Sequence, residues 1–206
     1  LAKFLPETLR YFLLSMHYRS PLDFSFDALE EAEKGVRRIY TALQQVGEAL
    51  AGTKWSKGPF PQDILDELTG YETGFAEALE DDLNTAAALG HLFGVVRLAG
   101  RILEDKVLRK TEVARDTLTR IQTAVAGWST ILGVFGLVPT EFLAELKSCR
   151  AGRKGIEAAA VDALLQKRLE ARKAKDFAAS DAIRDELAAM SVEVKDTPQG
   201  QAWDVL

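Results

Sequence analysis

The sequence predicts a mainly α protein, an antiparallel helix bundle followed by a small α+β module of two helices and a short β-hairpin. Three observations lead there. Alanine and leucine fill 57 of the 206 positions, and both rank high in helix propensity. Apolar residues recur at alternating spacings of three and four along the chain. After Ser191 the spacing changes to two, on either side of a Thr-Pro-Gln-Gly turn. With 47% hydrophobic and 28% charged residues the chain reads as folded rather than disordered.

The first helix opens after Pro6, which suits a first turn, and carries Leu9, Phe12, Leu13 and Met16. A longer one runs from Leu29 through Ala32, Val36, Ile39, Leu43 and Val46 to Leu50. The glycines and prolines of GTKWSKGPFP, residues 52–61, end it. Asn84-Thr85 caps the next, with Leu89, Leu92, Phe93, Val96, Ala99 and Leu103 on one side. Another is expected through Ala114, Leu118, Ile121, Val125, Trp128, Leu132 and Phe135, and Gly133, Gly136 and Pro139 are expected to close the bundle. Helices apolar along a single stripe must bury those stripes against one another, which makes a bundle the economical architecture.

The small, basic stretch SCRAGRKG reads as a linker over residues 148–155, separating a bundle over 1–147 from a module over 156–206. In that module a helix through Ile156, Ala160, Leu164, Leu165 and Leu169 precedes Asp176, a candidate N-cap. The helix that follows places Ala179, Ile183, Leu187 and Met190 on its core side. Val192 and Val194 then lead into Thr197-Pro198-Gln199-Gly200, which fits a type I turn, and Ala202, Trp203 and Val205 return. A module of about 50 residues is small for a self-sufficient core and is expected to lean on the bundle or a partner.

Charge is unevenly spread. The net charge is −5, yet residues 21–82 carry 14 acidic against 5 basic side chains, and residues 147–176 carry 9 basic against 4 acidic. A partner meets such local fields rather than the sum, because salt screens charge within about 10 Å. No apolar run reaches the roughly 20 residues of a membrane span, so the chain reads as cytosolic with no membrane partner. The single Cys149 excludes an internal disulfide, and His17 and His91 are too few to build a Cys/His zinc site with it. Phosphate-cradling G-x-x-x-x-G-K and nucleophile-elbow G-x-S-x-G patterns are absent. Glu80-Asp81-Asp82 reads as acids complementing a helix N-terminus rather than as a cation site. His17 and Tyr18 form no acid/base pair that the spacing requires.

The second helix of the terminal module carries a more informative pattern. At about 100° per residue, Phe177, Asp181 and Arg184 gather on the face opposite Ala179, Ile183, Leu187 and Met190. An aromatic can stack on an unpaired base, a carboxylate can accept from base N–H groups, and a guanidinium can meet phosphate or a base edge. Arg172, Lys173 and Lys175 just upstream would attract backbone phosphates. Phe177, beside the cap, could equally close the start of its helix onto the helix before it.

Three segments then carry a family resemblance. LRYFLLSMHYRSPLDFSFDALEEA (Leu9 to Ala32), FAEALEDDLNTAAALGHLF (Phe75 to Phe93) and RLEARKAKDFAASDAIRDEL (Arg168 to Leu187) with KDTPQGQAW (Lys195 to Trp203) resemble, in order, the C-terminal part of a bacterial cysteinyl-tRNA synthetase. The resemblance implies a class I synthetase that activates cysteine with ATP and transfers it to tRNA-Cys. It places the HIGH and KMSKS signatures, the ATP site and a zinc site in a catalytic domain upstream of Leu1, so this chain is expected to hold the bundle and the anticodon-binding module, without cofactors or an active site. It also implies that Arg172, Phe177, Asp181 and Asp196 read a G-C-A anticodon, whose guanine and cytosine offer N–H donors to carboxylates. Arg10, His17, Tyr18 and Arg19 resemble residues near the inside corner of the bound tRNA, and Trp203 is expected to pack the hairpin. Lys173, Lys175 and Arg184 are expected on the RNA backbone. The chain departs from the family at Ser191, where glycine is usual, and at Gln201, where threonine is common. Two other readings compete: a related ligase joining cysteine to an amino sugar, which lacks the terminal module, and a helical protein-interaction module using the acidic first half.

Overall fold

A computed structural model describes residues 3–197 and 200–205. Among them are eight α-helices and one two-stranded antiparallel sheet, so the chain is mainly α as expected. It forms two compact units, Phe4–Leu143 and a second that begins at Ala144.

The first unit contains α1 (Pro6–Leu14), α2 (Phe26–Gly52), α3 (Gln62–Glu80), α4 (Thr85–Glu104), α5 (Glu112–Leu132) and the start of α6 (Pro139–Arg153). Side-chain oxygens cap three of them: Ser25, Asn84 and Thr111 accept from the N–H groups of Ala28, Ala87 and Ala114. Leu29, Ala32, Val36, Ile39 and Val46 are buried on α2, as the spacing requires. The sequence reading did not identify α3, although Ile64, Leu68, Phe75 and Ala78 are buried along it. By length and composition α4 is apolar enough to cross a membrane, which a search for uninterrupted runs overlooks. Its packing against α1, α2, α3 and α5 explains that composition, because a helix with neighbours on several sides has little polar face left.

Helix α5 was expected to reach Phe135 but stops at Leu132, where Gly133 takes a left-handed φ of 69°. Phe135 is itself left-handed, with φ 66°. It is held there because its N–H donates to the buried Glu7 carboxylate and its ring lies 5.9 Å from those of Tyr11 and Tyr40. The Tyr40 hydroxyl donates to the same carboxylate at 2.7 Å, and burial together with that anion pushes its pKa well above the usual tyrosine range.

Helices α3 and α4 approach closely through a reciprocal pair. A Cβ on Gly74 would lie 2.2 Å from the His91 ring, and one on Gly94 would lie 2.3 Å from the Tyr71 ring. Each helix thus offers a glycine to a ring of the other. Phe75 and Trp128 stack at 4.2 Å and join α3 to α5.

The second unit contains the remainder of α6, then α7 (Ala158–Lys173), α8 (Phe177–Ala189), β1 (Val192–Thr197) and β2 (Gly200–Val205). The linker expected over 148–155 is overturned in most of its length, since α6 continues to Arg153. Ala151 is buried with Ile156, and that apolar contact holds helical a stretch that its small polar composition had marked as a connection. Their core continues through Val161, Leu165, Leu187, Val192 and Val205. On α7 the buried stripe is Val161, Leu165 and Arg168, not the expected Ala160 and Leu169, both of which are exposed. The strands pair from Val192 with Val205 to Thr197 with Gly200. Pro198 and Gln199, the centre of the expected type I turn, lie outside the described residues.

The α3–α4 contact generates the first prediction. Overpacking costs about 1–3 kcal/mol, while alanine in place of glycine in a helix gains about 1 kcal/mol. Gly94→Ala is therefore expected to lower the unfolding free energy in urea by about 1–2 kcal/mol. Gly90→Ala, on the same helix but facing open space, is expected to raise it by up to about 1 kcal/mol. Equal gains from both would show that the ring of Tyr71 does not need the missing side chain.

Candidate nucleic-acid interface

The period of a strand decides where Asp196 points. Val192, Val194 and Asp196 share one face of β1, opposite Val205, Trp203 and Gln201 of β2. The first two pairs pack on the core of the unit, and Asp196 and Gln201 end the row. On α7 the positions i+4, i+7 and i+11 from Val161 are Leu165, Arg168 and Arg172, so the helix brings two guanidinium groups to that end. Arg168 is only 6% exposed. Its Nη1 donates to Asp196 Oδ1 at 2.9 Å and its Nη2 to Oδ2 at 3.2 Å, while Arg172 Nη1 donates to Oδ2 at 2.7 Å. With its amide oriented to satisfy both neighbours, Gln201 donates to the Leu165 carbonyl at 3.2 Å and accepts from Arg168 Nη1 at 3.0 Å. The Arg168 hydrogen bonds first, and those of Arg172 with them, hold the Asp196 carboxyl down to about 2.

Two tight turns set the helix that follows. The N–H of Asp176 donates to the Ala171 carbonyl and that of Lys175 to the Arg172 carbonyl, closing α7 with Lys175 left-handed at φ 60°. Asp176 then caps α8 by accepting from the Ala179 N–H at 3.0 Å, as expected. Phe177 is the first residue of α8 and is 65% exposed, so it does not close its helix onto α7. Asp181 and Arg184 lie one and two turns further along that exposed face, and Lys173 and Lys175 are exposed beside it. Asp181 also acts on Arg168 through its charge, which links α8 to the guanidinium that holds Asp196. Trp203 packs as expected: its indole N–H donates to Asp162 at 3.1 Å, and the Lys147 ammonium lies 3.6 Å from its ring centre.

Arg172 and Asp196 also line an open cleft of about 550 Å³ with Leu165, Leu169, Lys173 and Gln201. It combines an apolar wall with donors and acceptors, the mixture that an unpaired base requires. The residues that reading the sequence did not identify are Arg168 and the role of Gln201. A signal existed, because an arginine stands on the apolar stripe of α7 and a carboxylate on the inner face of β1.

In the first unit, three of the four expected inner-corner residues gather on Asp82. Tyr18 donates to its Oδ1 at 2.8 Å, Arg19 Nε lies 2.8 Å from Oδ2, and His17 Nε2 lies 3.9 Å from Oδ2. His17 and Tyr18 stack at 4.9 Å. Arg10 lies apart from them, 3.8 Å from Glu7. Asp82 is thus engaged by protein cations and donors. Among the described residues no group of three or more His, Cys, Asp or Glu is placed to hold a metal ion.

A depressed carboxyl pKa adds stability that is complete above the ordinary carboxylate value and is lost as pH falls toward the folded one. For Asp196 the window runs from about 4 down to about 2. The indole N–H resonance of Trp203 is therefore expected to weaken in that window, and Asp196→Asn to remove this part of the pH dependence. Identical titrations of the two proteins would show that the ion pair does not hold the hairpin. Ser191 is left-handed at φ 60°, and its N–H donates to the Ala188 carbonyl. The turn therefore forms with serine in the position where glycine has no steric penalty, and Ser191→Gly is expected to raise thermal stability by about 1 kcal/mol. A lower melting temperature would contradict that backbone assignment.

Residues 74–136 match the DALR domain, and residues 157–203 match the cysteinyl-tRNA ligase anticodon binding domain. The chain is 60% identical over 206 residues to a cysteine–tRNA ligase of Maridesulfovibrio salexigens, covering all of the chain and 42% of that protein. It is 58% identical over 202 residues to the one of Oleidesulfovibrio alaskensis and 50% identical over 205 residues to the one of Desulfovibrio desulfuricans, again covering 42% of each. The chain thus spans less than half the length of these relatives and corresponds to their C-terminal portion. With the Arg168–Asp196 pair inside the matched anticodon-binding segment and α4 inside the matched DALR segment, the chain belongs to the cysteine–tRNA ligase family.

Proposed function

We propose that this chain is the tRNA-binding part of a cytoplasmic cysteine–tRNA ligase, in which the unit from Ala144 onward binds the anticodon of tRNA-Cys. The observation that carries this reading is an arginine, Arg172, held by Asp196 at the mouth of a cleft with apolar and polar walls. Asp196 already accepts three hydrogen bonds from guanidinium groups and so positions Arg172, while Asp181, exposed on α8, accepts from guanine or cytosine N–H donors. Phe177, exposed one turn before Asp181, stacks on an adjacent unpaired base. Lys173, Lys175 and Arg184 meet the phosphates. In the bundle, Tyr18 and Arg19, arranged on Asp82 with His17, meet the inner corner of the tRNA, with Arg10 on the helix α1 that precedes them.

Joining cysteine to tRNA with ATP belongs to the whole ligase, and the catalytic domain of the same protein supplies the ATP and zinc chemistry that the family implies. The match to an anticodon-binding domain over 157–203 weighs against the amino-sugar ligase reading, for which this module has no use.

The test is binding of the 206-residue chain to a labelled anticodon stem-loop of tRNA-Cys across a salt series. Asp181→Asn is expected to weaken the cognate loop by about tenfold, in line with about 1–3 kcal/mol for a good base contact, and to narrow its margin over scrambled anticodons. Lys173→Ala is expected to weaken all loops alike and to reduce the salt slope by about 1. Scrambled and cognate loops binding the unsubstituted chain equally would end the base-reading proposal.

A further inference from the structure

The most acidic segment of the sequence contains a basic groove. Lys34, Arg37 and Arg38 on α2 and Arg97 and Arg101 on α4 line a trough of about 620 Å³ at the seam of the two helices. Gln45, Gly100 and Glu104 line both this trough and a neighbouring one of about 730 Å³, which adds Lys54, Arg109 and Lys110. The only acids lining the two are Glu48 and Glu104. Helical periodicity makes the sorting: the acids of the segment fall elsewhere on the helices, while positions 34, 37 and 38, and 97 and 101, fall on adjoining faces.

The cations are accessible and partly committed. Lys34 pairs with Glu31 and Arg101 with Glu67, both on the protein surface, while Arg38 lies 5.9 Å from the Phe93 ring centre. Exposed pairs of this kind exchange readily for another anion, because each contributes little. The floor is made of small residues: Thr41, Ala42 and Gly100, with Val96 the largest apolar one in the first trough. A Cβ on Gly100 would meet open space.

We propose that this α2–α4 groove binds the phosphodiester backbone of an RNA arm outside the anticodon loop. Guanidinium forks match phosphate in shape as well as charge. A protein partner would call for a buried aromatic or aliphatic anchor, and no aromatic residue lines the groove. The proposal rests on the reading of the chain as a tRNA binder but uses none of the residues assigned to the anticodon.

The experiment titrates the 206-residue chain with whole tRNA-Cys and, separately, with its anticodon stem-loop, over a salt series. R38Q/R97Q is expected to weaken whole tRNA by about tenfold and to lower the salt slope by about 1.5 to 2, the loss of two phosphate contacts. It leaves the stem-loop unaffected. Gly100→Glu, which adds a carboxylate to the trough, is expected to act in the same direction, and Gly100→Gln, of the same shape, to do so far less. K57Q/R115Q, which removes two cations outside the groove, keeps the slope.

An unchanged slope for R38Q/R97Q overturns the proposal, and so does an equal loss with the stem-loop or with K57Q/R115Q. Binding of poly-glutamate that the groove variants abolish while tRNA binding persists marks an acidic protein surface, and also overturns it. If the stem-loop does not bind but the groove variants still flatten the slope for whole tRNA, the anticodon reading falls and the groove stands.

Discussion

The arrangement of the terminal unit depends on one buried guanidinium. Arg168 occupies a core position of α7, and a charge there requires a hydrogen-bonded partner. Asp196 is that partner, and it sits on β1, 28 residues away in sequence. The ion pair therefore fixes to the helix the end of the hairpin where Thr197 pairs with Gly200. The same carboxylate also takes Arg172, whose side chain is otherwise exposed. One buried contact thus determines where an exposed functional side chain stands.

This changes the chemical roles that carboxylates can have. An anion that already accepts three hydrogen bonds from two arginines has most of its acceptor capacity committed within the protein. Asp181, on a helix face open to solvent, keeps its acceptor capacity. Two aspartates that sequence reasoning treats alike are therefore separated by their neighbours, Asp196 held by two guanidinium groups and Asp181 on a face open to solvent.

Much of this was legible from spacing alone. The stripes of α2, α4 and α5, the Asp176 cap and the exposed face of α8 follow directly from period and residue type, because one periodic pattern fixed both the element and its orientation. The failures share a cause. Phe135 fits the period of α5 and lies outside it, since Gly133 ends the helix and the Glu7 carboxylate then captures the Phe135 N–H. The stretch 148–153 looks like a linker until Ala151 meets Ile156. Arg168 looks like one more surface cation until Asp196 faces it. In each case a contact distant in space, which no local pattern encodes, outweighs the local preference.

Charge shows the same logic at a larger scale. A sum over residues 21–82 is strongly acidic, yet helical geometry collects three of its five cations, Lys34, Arg37 and Arg38, on one face of α2. Arg97 and Arg101 meet them there because α4 packs against α2. An RNA phosphate senses charges within roughly a Debye length, about 8 Å at physiological salt, and not the average over 62 residues. The left-handed turns at Lys175 and Ser191 fix how α7, α8 and β1 follow one another within the terminal unit. Short turns of this kind cost about 1–2 kcal/mol each in backbone conformation, and in return less ordering is left to be done when the RNA arrives.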